Sequence, residues 1–279
     1  MENLETTQQA PRPVAPKAKA SSLWDKTGRL IPFPESRVFS QVSRGYFTLV
    51  QPRVDFGEIH ARTHKHLGIS NLISKEEFEK RCLQIHDKLK RNEQTRGLLS
   101  AVAIPFFCTP QTASMDMGKE LDTVYLKAVK SSYEEKFPEY TCSNYFAGKL
   151  EGDLSVVPGV RYERFIEARK KGVVVGWYFP NCLAEYMVPD QRALISKLPE
   201  DLILSGAIDA AAAFIGTPEI IFKKDDGLYP HLLCMSSIKP KNETTFYHFE
   251  AYGWNLEFNC RSYLGAVSEY WAGGLIAIG

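Results

Sequence analysis

The stretch Thr244-Thr-Phe-Tyr-His-Phe-Glu-Ala-Tyr252 alternates in character residue by residue, which is the period of an extended strand. That period places Phe246, His248 and Glu250 on one face and Tyr247, Phe249 and Ala251 on the other. Similar short runs at 220–222, 229–236 and 254–261 flank it, with Asp226-Gly227 and Gly253 as turn residues between them. From residue 219 onward the chain therefore reads as antiparallel sheet.

Upstream, helical and extended patterns alternate. Ser74-Lys-Glu-Glu77 is a capping box, and Phe78, Cys82, Ile85 and Leu89 recur at helical spacing, so the spacing predicts an amphipathic helix over 75–94. Residues 98–108 are apolar on both alternating sets, as in a central strand buried on both faces, with Pro105 at a strand end or bulge. A second helix is expected over 117–136, with Leu121, Val124, Tyr125, Ala128 and Val129 as its buried stripe. Tyr162, Phe165 and Ile166 mark a short helix that Gly172 can cap, and a β-branched and aromatic strand follows at 173–179. Residues 202–215 are apolar nearly all round and read as an internal helix. Together these patterns predict an α+β fold in which a mixed N-terminal helix/strand region packs with a C-terminal antiparallel sheet. Residues 1–22, rich in Pro, Ala, Lys and Gln, read as a disordered tail, and 23–279 as a single α+β domain.

Composition narrows the function classes. The 34 basic and 33 acidic residues nearly cancel, leaving no electrostatic footprint for nucleic acid or an anionic membrane surface. The basic runs 88–91 and Arg169-Lys-Lys171 each close a predicted helix and read as solvated helix ends. No apolar run approaches the roughly twenty residues that cross a bilayer; 272–278 is too short, and Gly273-Gly274 reads as a turn or loose terminus. The first residues lack a basic stretch followed by an apolar one, and six scattered cysteines form no Cys-x-x-Cys pair. A cytoplasmic protein with reduced thiols, no cofactor and no membrane or nucleic-acid partner is expected.

Candidate chemistry is sparse. His60 and His64 sit at i, i+4, a spacing metal ligands use, but Ala61 follows His60 where a zinc protease carries glutamate, and no third ligand is evident, so no metal is expected. Cys82 and His86 share that spacing, yet Cys82 lies on an apolar stripe. No phosphate-cradling glycine pattern and no nucleophile elbow occur. The best-placed titratable pair is His248 and Glu250, with Glu257, Asn259 and Arg261 alternating along the next strand and Tyr247, Tyr252 and Trp254 as apolar walls. In such a cluster His248 is the general base, Glu250 or Glu257 its orienting carboxylate, and Arg261 an anion contact.

The run Leu67-Gly-Ile-Ser-Asn-Leu-Ile-Ser-Lys-Glu-Glu-Phe78, with Pro105-Phe-Phe107 and Leu264-Gly265, resembles an uncharacterised bacterial family known only as a domain of unknown function. The resemblance implies a bacterial cytoplasmic protein and assigns no activity or functional residue. The residues themselves favour a non-catalytic protein that binds a partner protein or small ligand through its aromatic-rich C-terminal sheet. The rival expectation is a cofactor-independent enzyme acting on a small molecule with His248 and Glu250 as acid-base groups. A metal-binding protein using His60 and His64 is the third.

Overall fold

The computed structural model describes residues 22–112, 115–222 and 229–279. The expected disordered tail lies outside the described residues except for Ser22, as do Asp226 and Gly227 of the expected turn. Helices are α1 (Phe56–Leu67), α2 (Lys75–Arg91), α3 (Met117–Glu120), α4 (Leu126–Lys136), α5 (Tyr162–Lys171), α6 (Val188–Leu194) and α7 (Ala207–Gly216). Strands are β1 (Ile104–Cys108), β2 (Cys142–Asn144), β3 (Ser155–Val156), β4 (Val174–Ala184), β5 (Leu202–Leu204), β6 (Leu232–Cys234), β7 (Ile238–Lys239), β8 (Phe246–Tyr252), β9 (Asn255–Arg261) and β10 (Trp271–Ile278).

The class is α+β, as expected, but the C-terminal strands do not form a separate antiparallel sheet. They belong to one mixed eight-stranded sheet of order β1-β4-β10-β6-β8-β9-β2, in which β5 also pairs with β10, while β3 and β7 form a small second sheet. The β10–β6 and β9–β2 pairs are parallel and the others antiparallel. One contiguous buried cluster draws its side chains from Trp24 through to Ala277.

Local chemistry sets the helix ends. The Asp55 carboxylate accepts from Glu58 N and starts α1, and Gly68, in the left-handed region at φ 63°, ends it. Ser74 accepts from Glu77 N and starts α2, whose buried residues are Phe78, Cys82, Ile85 and Leu89. Between α3 and α4 the helix passes through a π-turn, Leu121–Tyr125. Every residue of α7 is buried, and Ala210–Ala213 let it pack against β1, α1 and α4. The expected helix over 202–215 is thus two elements, a short strand and then α7. The expected strand at 220–222 is a turn.

The largest correction concerns β10. Gly273-Gly274, read as a turn or loose terminus, lies within an interior strand, residues 271–278, which pairs with β4 on one side and with β6 and β5 on the other. Burial on both faces removes the alternation that would have revealed a strand. Gly273 and Gly274 serve close approach: a Cβ on Gly273 would lie 2.0 Å from Gln191 Oε1, and one on Gly274 2.5 Å from the Tyr178 ring. Conversely β1, expected to be central, is an edge strand, which suits Pro105, since an edge strand can spare one N–H. The other edge, β2, is shielded by α4: Cys142 N donates to Glu134 Oε1 and Lys130 Nζ donates to Cys142 O, each at 3.1 Å. Such capping discourages pairing with another chain.

Gly274→Val is expected to lower unfolding free energy by about 2–3 kcal/mol through overpacking against Tyr178. A urea midpoint equal to wild type would contradict the placement of β10.

Candidate functional site

Hairpin β8–β9 pairs Phe246 with Arg261, His248 with Asn259 and Glu250 with Glu257, so these six side chains share a face. Glu250 joins two of them. Its Oε1 lies 3.0 Å from His248 Nε2, and its Oε2 accepts from Arg261 Nη2 at 2.8 Å. With Nε2 donating to the carboxylate, His248 Nδ1 is left as an acceptor, and that atom is buried with no hydrogen-bond partner among the described residues.

Burial pulls the His248 pKa down, against the pull of Glu250, so the imidazole is neutral near pH 7. Burial by itself would raise the Glu250 carboxyl, but the His248 hydrogen bond and the Arg261 guanidinium outweigh it and hold the group below the usual range. The result is an oriented, neutral imidazole beside a fixed carboxylate, the chemistry of a general base. Access is what it lacks. His248 has 0% exposure, and on this face a small buried cluster joins Cys234, Phe246 and Trp271 to Val188 of α6, with Leu264 and Tyr270 from the 262–270 connection packed against it. The Arg261 guanidinium stands 5.7 Å from the centre of the Tyr270 ring.

The remaining expected site residues lie elsewhere. Tyr247 points to the opposite face, stacks on Phe258 at 5.3 Å and donates to Asp153 Oδ2 at 2.7 Å, so it is a core residue. Glu257 accepts from Tyr145 Oη at 3.3 Å and does not orient His248. Tyr252 and Trp254 stand at the hairpin tip, 74% and 42% exposed. Trp254 packs edge-on against Tyr140 at 5.8 Å.

On α1, the His60 and His64 rings lie 4.2 Å apart, but His60 Nε2 is held by Ile73 O at 2.8 Å. No group of three or more His, Cys, Asp or Glu that could hold a metal occurs among the described residues. Cys82 is buried on α2, and burial pushes its thiol far above the ordinary range.

Two buried polar clusters were not legible in advance. Arg169, read as a solvated helix end, is fully buried and forks onto Glu120, with Nε donating to Thr109 O at 3.1 Å. Its signal is the spacing from Tyr162 and Phe165, which puts position 169 on the apolar face of α5. Asp209 lies in the first turn of α7, accepting from Gly206 N at 2.9 Å, Tyr162 Oη at 2.8 Å and Ser205 Oγ at 2.5 Å. Burial pushes its carboxyl up to about 6 in spite of these donors. Both clusters tie elements together within the core.

No helix among the described residues is long and apolar enough to cross a membrane. No family model matches the chain, and neither a curated protein nor a solved structure shows significant similarity to it.

Two pH profiles check these environments. Glu250 has a lowered folded pKa, so its stabilisation is present above about pH 4.5 and lost as pH falls below it. Glu250→Gln should cost about 2 kcal/mol at pH 7, and progressively less on acidification. Asp209 behaves oppositely: its folded pKa is raised, so its contribution is full below pH 3.8 and lost as pH rises through about 6. The stability of wild type relative to Asp209→Asn should therefore fall by about 3 kcal/mol between pH 4 and 7. A pH-independent difference in either denaturation series would refute the corresponding assignment.

Proposed function

We propose that this is a non-catalytic binding protein that holds a partner protein on the aromatic end of hairpin β8–β9. The observation that carries this reading is the conformation of Trp254. The two-residue loop Gly253-Trp254 has φ of 55° and 68°, as a type I′ hairpin turn requires. Glycine accepts the second position without strain, whereas a bulky side chain there costs about 1–2 kcal/mol. A large indole kept in that conformation and left 42% exposed is not explained by the stability of the turn.

Its surroundings suit a protein contact. Tyr252 is 74% exposed beside it, and Tyr140 joins it to Phe222, which stacks on Phe137 with centroids 3.6 Å apart. Tyr133 Oη donates to Trp254 O and fixes the turn on α4. Rigid aromatic ledges give contact area at little entropic cost, and Trp and Tyr dominate interface hot spots. The second reading, a cofactor-independent enzyme, is favoured by the Glu250-oriented imidazole of His248, but it requires residues 262–270 to move aside before a substrate can reach Nδ1.

Native mass spectrometry of the protein isolated from its own cells tests both. A bound protein lost in Tyr252→Ser/Trp254→Gly but kept in His248→Gln is the expected result. Retention by the double variant would sink the aromatic surface, and a small-molecule adduct lost only in His248→Gln would favour the enzyme. Trp254→Gly alone should raise stability by about 1 kcal/mol by relieving the turn.

A further inference from the structure

A cavity of about 340 Å³ opens between α4, β2 and the turn that follows β2, on the face of β9 that carries Phe258. Its volume is in the range of small-molecule sites. Leu126, Ala147 and Phe258 give it apolar walls, and Lys127, Lys130 and Asn144 polar ones. We infer that this cavity binds a small monocarboxylate with an apolar body, its carboxylate on Lys127 and its body against Leu126, Ala147 and Phe258.

The charges around the cavity decide the class. Asp122 also reaches it, but both its oxygens are spent on the wall, accepting from Asn144 Nδ2 at 2.8 Å and Gly148 N at 2.6 Å. Lys130 is likewise occupied, pairing with Glu134 and donating to Cys142 O at 3.1 Å. Lys127 has no hydrogen-bond or ion-pair partner among the described residues. One uncommitted cation beside an apolar wall matches a singly charged anion; a phosphate dianion calls for more than one free cation. Cys142, which also lines the cavity, is no nucleophile there, since burial pushes its thiol up to about 12.

The helix is modified at this place. The π-turn Leu121–Tyr125 departs from the regular ladder one turn before Leu126 and Lys127, and such turns are often found at functional sites. It carries Asp122, whose two bonds hold the 144–148 turn in place as one wall of the cavity. A change of helix register that fits both the wall and the free lysine is an observation separate from the cavity itself.

Calorimetric titration with 3-phenylpropanoate tests the inference. Saturable binding is expected, weakened about tenfold or more by Lys127→Gln and by Ala147→Trp, and for the uncharged 3-phenylpropanol on wild type. Lys127 and Ala147 are both exposed, so both variants should keep the wild-type far-ultraviolet circular dichroism and urea midpoint, which would show that lost affinity is not lost folding. No saturation up to about 10 mM, equal affinity for the alcohol, or undiminished binding by the folded variants would each overturn it.

Discussion

The sheet depends on a strand with almost no side chains at its middle. Where β10 passes Gly273 and Gly274, Gln191 and Tyr178 lie directly against its backbone, in space that any Cβ would occupy. That approach lets one strand face β4, β5 and β6 at once, and it joins the N-terminal strands to the C-terminal hairpin in a single sheet. Gly176 on β4 repeats the device, with Ala277 O and the Phe106 ring within 3 Å of where its Cβ would be. Backbone contact at these points is as necessary to the fold as the aromatic core around them.

What the sequence revealed follows from the kind of signal each element carries. The caps at Asp55 and Ser74 and the stripe on α2 are local, and the side chains alone determine them. The alternation along β8 and β9 was readable because one face meets the main core and the other only a small covering cluster. β10 and β5 lack alternation because both faces are buried, and the short parallel β2 leaves no mark in composition. The candidate site was legible to the same depth. Period two placed His248 and Glu250 together, but the loss of access comes from α6 and the 262–270 connection, which are distant from β8 in sequence or irregular in structure. Arg169 misled because a basic run at a helix end is ordinarily solvated, whereas its partner Glu120 lies 49 residues away.

Electrostatics inside the molecule is resolved by neutralisation or pairing. Among the described residues two guanidinium groups are buried, Arg29 and Arg169; each meets a carboxylate, Glu185 and Glu120 respectively, and at least one backbone carbonyl. The buried imidazoles take the other course: burial pushes His231 down to about 4 and lowers His248, so both are uncharged near neutrality. The proposed contacts are placed at the periphery, on α4 and at the hairpin tip.

The sequence distance between β10 and its neighbours has a consequence in time. β1 and β4 pair across about seventy residues, and β4 must then wait for a strand roughly ninety residues further along the chain. Until β10 arrives, Val174–Ala184 presents an uncharged β-branched and aromatic edge, the kind of segment through which folding intermediates associate. Refolding should therefore be slow and sensitive to protein concentration, with yield set by how long that edge stays open.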